Sequence, residues 1–135
     1  MRDAILTFLA IDPTLLAILT GGIYTATLIS RQTTPNAFNA ARELLPCALL
    51  RFEDESQVSP YATSARLMFV LYFYQRSGYE QIDAARARCY ALLNQSRIPG
   101  APAWEVLHAN DVLDQTDDVL TASMSFSRYQ VMRLK

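Results

Sequence analysis

Residues 67–74 are apolar or aromatic at every position and carry no charge. A strand in a sheet covered on one face alternates apolar with polar residues, whereas a continuous apolar run indicates a strand covered on both faces. Residues 65–75 are therefore predicted to form a long central strand. In a chain this small, a neighbouring subunit is one way to cover the second face, so the pattern points to oligomerisation.

Helical spacing predicts two helices near the start of the chain. Apolar residues recur at helical intervals over residues 3–10. Asp12 and Pro13 then form an N-cap and first-turn pair for a second short helix, which the glycines at 21 and 22 are expected to end.

A longer amphipathic helix is predicted over residues 79–95. Ser77 and Glu80 have the spacing of a capping box, in which the hydroxyl and the carboxylate each accept from the other residue's amide. One apolar stripe then runs along the segment, formed by Ile82, Ala85, Cys89, Leu92 and Leu93.

Residues 25–46 have few core-forming positions and are predicted to be a long irregular segment. Thr34 and Pro35 would start a short helix over residues 37–44, and Pro46 would end it. Loops of this length tend to be functional or to be ordered by a partner, and we expect the second here.

Further strands are predicted at residues 23–24, 47–53, 104–109 and 119–133, with an acidic turn containing Asp111, Asp114, Asp117 and Asp118. The last strand changes phase near Ser127, where a bulge is expected. The prediction is thus a single α+β domain over residues 1–135, in the order α-β-β-β-α-β-β. Its one mixed or antiparallel sheet of about five strands has an N-terminal helix and one long amphipathic helix packed mainly on one face.

Composition excludes several classes of function. Hydrophobic residues make up 51% of the chain and charged residues 19%, which is ordinary for a globular fold, and the net charge is −1. No basic excess is available to neutralise nucleic-acid phosphates, so DNA or RNA binding is not the expected main role. The apolar stretch over residues 13–30 is interrupted by proline, glycine and threonine and is not predicted to span a membrane. The cysteines Cys47 and Cys89 are expected to be reduced core residues.

No catalytic or metal-binding pattern stands out. His108, the single histidine, has no partner at ligand spacing and is expected to be structural or at the surface. The acids near residue 114 lack the spacing, the central glycine and the closing glutamate of a calcium loop. Arg128 and Tyr129 are either part of an ordinary sheet edge or part of a subunit contact, since both residue types are enriched at interfaces.

Four short strings, together with the order of elements, make the chain resemble the tail-terminator and neck proteins of the head–tail junction of long-tailed bacteriophages. The strings are Gly22-Ile23-Tyr24, Leu45-Pro46-Cys47, Leu92-Leu93 and Arg128-Tyr129-Gln130. The resemblance covers essentially the whole chain and rests on pattern; the helical insert over residues 37–44 departs from it.

The resemblance implies a structural virion protein that forms a homo-oligomeric ring, commonly a hexamer. Such a ring terminates the tail tube and joins it to the head connector, with passive contact to DNA in its lumen. It implies no catalysis, no cofactor, no metal and no membrane, and assembly in the host cytoplasm. Alternatives are another neck or head-completion connector protein, a non-viral oligomeric binding module, or a small enzyme with an unrecognised site.

The apolar strand suggests where subunits would meet. Leu67, Leu71 and Phe73 are expected to face the helices. The subunit interface is expected to lie at or next to the opposite face, at Met68, Val70, Tyr72, Tyr74, Arg128 and Tyr129.

Overall fold

The computed structural model describes residues 2–25, 28–57, 64–99 and 105–134. The elements are α1 (Arg2–Ala10), α2 (Pro13–Ile18), β1 (Ile23–Tyr24), a 3₁₀ turn (Pro35–Ala37), β2 (Cys47–Gln57), β3 (Ser64–Gln75), α3 (Glu80–Leu93), β4 (Glu105–Asp117) and β5 (Ala122–Leu134). They form one five-stranded sheet in the order β1-β2-β3-β5-β4. β1 and β2 are parallel and all other neighbours are antiparallel. The predicted α+β fold with one mixed sheet is confirmed.

The helices pack on one side of the sheet, which we call the helix side. Leu71 and Phe73 of β3 lie in this core and the partly buried Leu67 packs against it, so all three face the helices as predicted from their alternation. The α3 residues that reach it are Ile82, Ala85, Cys89 and Leu93. Leu92 is only partly buried and packs at the edge of the cluster. The predicted stripe is therefore correct up to its last turn, where Leu93 is the buried leucine.

Asp12 joins two helices of this layer. Its carboxylate accepts a hydrogen bond of 2.8 Å from the Leu15 amide, which confirms the predicted N-cap. It also accepts two hydrogen bonds from the Arg88 guanidinium, at 2.9 and 2.7 Å, and so ties α2 to α3. The hydrogen bonds from Arg88 hold the pKa of Asp12 below its ordinary value. α2 ends at Ile18, before the two glycines, and Gly22 (φ +93°) turns the chain into β1.

The start of α3 differs from the predicted capping box. Tyr79 is the N-cap residue and its side chain makes no cap bond. Instead, the buried Gln75 side chain accepts hydrogen bonds from the Gln81 and Ile82 amides at 3.0 and 3.2 Å. It also donates to the Ser77 carbonyl at 2.7 Å. A glutamine at the end of β3 thus satisfies the helix start, because the tight turn at Gly78 (φ +74°) brings the two elements together.

The predicted short helix starts where expected, with Thr34 as N-cap and Pro35 in the first turn, but it does not extend over residues 37–44. The chain forms a short 3₁₀ turn (Pro35–Ala37), and Phe38 then pairs with Leu44 across a tight loop. Within that loop the Asn39 side chain accepts hydrogen bonds from the Ala41 and Glu43 amides. These local bonds compete with helical ones, which is why asparagine favours turns over helix interiors.

The irregular segment covers one end of the other side of the sheet, which we call the outer face. It contributes to a second cluster of buried residues: Ile29, Ala37, Leu44, Cys47, Leu49, Tyr74 and Ala122. Cys47 is a free, buried thiol, as is Cys89 in the first core, and burial raises the pKa of each to about 12. Both cysteines are therefore core residues, as predicted.

The predicted acidic turn is mostly strand. β4 continues through Asp111 and Asp114 to Asp117, and only Asp118 lies in the turn before β5. The β4 register shifts between His108 and Asn110 and again between Val112 and Gln115. β5 itself pairs with β3 without interruption, so the bulge expected near Ser127 lies on the neighbouring strand.

The phase change read from β5 has another cause. Ser125 and Ser127 point to the helix side together with Tyr129 and Val131, and all four are buried. Met124, Phe126 and Arg128 lie on the outer face. The apolar positions therefore change face along a regular strand. Ser127 is buried in a polar cluster, described below, whereas the buried Ser125 hydroxyl has no hydrogen-bond partner among the described residues.

Candidate assembly surface

The outer face of the sheet carries most of the residues expected at a subunit interface. Met68, Val70, Tyr72 and Tyr74 alternate with the helix-side residues of β3 and therefore share this face. The Tyr72 ring lies 5.2 Å from the ring of Phe126 on β5, and the Arg128 guanidinium lies 4.9 Å above the same ring. Aromatic, methionine and arginine side chains are the types enriched at interfaces.

The chain covers this face unevenly. Tyr74 is 6% exposed, because the second cluster packs over it. Val70 is fully buried and pairs with Arg51 on one neighbouring strand and with Arg128 on the other. Met68 and Tyr72 remain half-buried. A partner subunit could therefore contact Met68 and Tyr72 directly. At Val70 it would contact the neighbouring arginines, Arg51 and Arg128, instead of Val70 itself.

Arg128 and Tyr129 lie on opposite faces of β5. Arg128 is on the outer face, where its Nε donates to Glu53 at 3.1 Å. Tyr129 is fully buried on the helix side, stacked on Phe69 at 5.4 Å between ring centroids. Consecutive residues of a strand alternate between faces, so the two cannot line one surface, and we leave Tyr129 out of the interface proposed below.

An apolar groove adjoins the open part of the outer face. It is a cavity of about 370 Å³ between the irregular segment and the β4–β5 turn. Leu28 and Val119 stand at it with 51% and 93% of their surface exposed. Exposed apolar residues grouped around a groove are typical of contact surfaces.

A polar cluster lies beneath α3 on the helix side. The Asp111 carboxylate accepts hydrogen bonds from His108 Nε2 at 2.8 Å, from Ser127 Oγ at 2.6 Å and from Arg86 Nη1 at 3.0 Å. The bulge after His108 makes this possible, because residues three apart in a regular strand face opposite sides. Burial raises the pKa of Asp111, but the hydrogen bonds from Ser127 and His108 and the charges of His108 and Arg86 outweigh it, so the pKa is lowered.

The order of residues in this cluster differs from that of a nucleophilic triad. In a nucleophilic triad the histidine lies between the hydroxyl and the carboxylate, so that it can take the hydroxyl proton. Here the carboxylate of Asp111 lies between the other two, and Ser127 is fully buried. His108 also contacts the rings of Tyr90 and Tyr129 edge-on at 5.2 and 5.3 Å. His108 therefore has the structural role expected for it, with Asp111 as a partner that sequence spacing did not indicate.

Arginines from distant parts of the chain meet at a second cavity, of about 570 Å³, which we call the arginine pocket. It is lined by Arg31, Phe38, Ala41, Arg42, Glu43, Leu44, Arg76, Leu120 and Thr121. Sequence spacing does not indicate this pocket, because Arg76 lies more than thirty residues from the other two arginines and only the fold brings them together.

Within the described ranges, no three His, Cys, Asp or Glu side chains lie close enough to hold a metal ion. No helix in those ranges is long and apolar enough to cross a membrane.

Comparison with known proteins shows a similarity of fold. A scan against protein-family models and a search of curated proteins both find no match. Among solved structures, the fold is similar to a chain in the virion of a native gene transfer agent particle, with a TM-score of 0.71. The two chains are 12% identical, and the match covers all of this chain and 95% of the other. At this identity the similarity establishes the shared fold.

Proposed function

We propose that the protein is a structural component of a phage-like virion, where it forms a ring at the head–tail junction. The ring terminates the tail tube and joins it to the head connector. The observation that carries this proposal is the full-length fold similarity to a chain of a gene transfer agent virion. The proposal rests on this likeness of fold, and because one fold can host different functions, its tests are assembly and location in the particle.

The outer face supports assembly with other copies. The interface we propose contains Met68, Tyr72 and Arg128, with Val70 and Tyr74 forming the buried floor beside them. Tyrosine combines a large apolar ring with a polar tip, which suits a contact that is only partly dry. Identical subunits that join through two different surfaces close into a ring when the rotation per subunit allows it.

The assembly test compares Tyr72→Glu with Tyr90→Glu. Tyr90 is exposed on α3, away from the outer face, so its variant adds the same charge elsewhere. We expect Tyr72→Glu to lower the light-scattering mass of the assembly while circular dichroism stays unchanged. We expect Tyr90→Glu to behave as the parent. Equal mass for both variants and the parent would contradict the proposed interface.

Two alternative functions predict different contents of purified virions. Another neck or head-completion connector protein would also be present in virions, but in a different layer of the junction. A non-viral binding module would assemble through the same face and be absent from virions. Mass spectrometry of purified particles separates the second alternative from the first.

A further inference from the structure

The arginine pocket has a fixed geometry. Arg31 donates from Nε and Nη2 to the Arg42 carbonyl at 3.1 and 2.8 Å. Its guanidinium also lies 4.9 Å above the Phe38 ring. These contacts hold Arg31 in place and leave three of its five N–H groups for other acceptors.

Two residues of the pocket adopt strained backbone conformations. Arg42 (φ 63°) and Thr121 (φ 52°) are left-handed, a region that non-glycine residues rarely enter. Such strain persists where the surrounding structure enforces it, and it often occurs at binding sites. Arg42 has such a strained backbone, and its side chain makes no hydrogen bond or ion pair with the described residues.

The pocket already contains one carboxylate. Glu43 forms an ion pair with Arg76, and the two side chains are 36% and 68% exposed. Three arginines against one glutamate leave an excess of two positive charges in a cavity that also has apolar walls, Phe38, Leu44 and Leu120. Guanidinium groups bind carboxylates in a fork geometry, so the pocket suits an acidic peptide that carries an apolar residue.

One acidic run on the chain has this character. Glu53, Asp54 and Glu55 are consecutive on β2, directly after Phe52. Glu53 accepts a hydrogen bond from Arg128 of its own chain, so Asp54 and Glu55 are the members of the run on which the docking depends. Glu80, Asp117 and Asp118 are at or near the pocket's own end of the sheet. The run is at the other end: Glu55 pairs with Leu67 of β3, eight residues from Gln75, a separation of about 26 Å at ~3.3 Å per residue.

The acidic run therefore cannot reach the pocket of its own chain. We propose that the run on β2 of one copy docks in the arginine pocket of a second copy. The contact joins opposite ends of two identical subunits, so it is head-to-tail and of the kind that closes rings. This inference rests on the proposed function, and it identifies the charged contact that joins the ring subunits.

A peptide tests the contact without requiring assembly. A fluorescein-labelled peptide of residues 52–57 should bind the 135-residue protein, as measured by fluorescence anisotropy. The same peptide with its three acids changed to amides should bind at least tenfold more weakly. Arg42→Glu and Arg76→Glu should each weaken binding at least tenfold, whereas Arg97→Glu, in the exposed segment that follows α3, should not change it. Glu43→Gln removes the competing carboxylate and should strengthen binding.

Two outcomes would overturn the docking contact. One is unchanged binding in both pocket variants with their circular dichroism intact. The other is displacement of the peptide by a twelve-base-pair DNA duplex or by inorganic phosphate at equal concentration, which would make the pocket a phosphate site.

Charge reversal tests the contact in the assembly. Asp54→Arg with Glu55→Arg should lower the assembled mass, as should Arg42→Glu with Arg76→Glu. Combining all four substitutions in one chain should restore it. If the peptide binds but the parent does not assemble, the ring function fails and the docking site stands. If the parent assembles and neither reversal lowers its mass, the docking contact fails and the ring stands.

Discussion

The start of α3 gives a prediction whose magnitude follows from the structure. In Gln75→Ala, the Gln81 and Ile82 amides lose their acceptor and the Ser77 carbonyl loses a donor. Loss of a helix cap costs about 1 kcal/mol. The Ile82 amide is buried, and leaving a buried donor unpaired costs about 1–3 kcal/mol more. We therefore expect Gln75→Ala to lower the free energy of unfolding by about 2–4 kcal/mol.

Two companion variants make the test specific. Ser77→Ala removes the hydroxyl that the capping-box pattern would use, and it should change stability by less than about 0.5 kcal/mol because Ser77 is exposed and does not cap the helix. Gln75→Glu keeps an acceptor for both amides but loses the donor to Ser77, so its effect should fall between the other two.

Urea denaturation followed by circular dichroism at 222 nm, fitted with a shared slope, measures all three free energies. If Ser77→Ala lowers the free energy of unfolding more than Gln75→Ala does, Gln75 is not the cap and the capping box expected from the sequence is correct.

Three further predictions concern other parts of the fold. Asp12→Asn keeps the N-cap but loses the charge paired with Arg88. Because the pKa of Asp12 is lowered in the folded state, the parent should be more stable than this variant above the ordinary aspartate pKa of about 4. The difference in stability should vanish in more acidic solution, where Asp12 is protonated. Thermal melts of the parent and the variant from pH 7 to pH 2.5 measure this difference in stability. A difference that stays constant with pH would contradict the prediction. Leu93→Asp buries an unpaired charge and should leave little soluble folded protein, whereas Ala87→Asp on the exposed side of α3 should express as the parent does. We also propose that residues 28–45 are further ordered by partners, so their amide hydrogen exchange should slow on assembly; equal exchange in free and assembled protein would count against this.

The long-range architecture was predictable where periodicity is strong. The apolar run of β3 indicates a strand covered on both faces, and Leu71 and Phe73 on one face and Tyr74 on the other are indeed buried. The chain itself covers part of the second face, with Leu44 and Ile29 from the irregular segment. An apolar pattern shows that a face is covered but does not show by what, so it could not separate a neighbouring subunit from a folded loop.

Local competition explains the errors. Gln75 caps α3 from outside the helix, in place of Ser77, and a sequence pattern for capping considers only residues near the helix start. Asn39 converts a helical pattern into a turn through its own side chain. The bulge after His108 brings Asp111 to the same side, which the regular period of a strand would forbid.

The candidate surfaces were predictable to different degrees. Alternation along β3 placed Tyr72 on the outer face. Arg128 was expected at an interface only from its residue type, together with Tyr129, which lies on the other face. The arginine pocket did not, because Arg42 and Arg76 approach only when the irregular segment folds over the end of the sheet.

The position of the protein in a virion tests the central proposal most directly. A tagged copy, labelled with gold in purified particles and imaged by electron microscopy, should give a single site of label where head meets tail. Label spread along the tail or over the head, or particles that contain none of the protein, would contradict the proposed role.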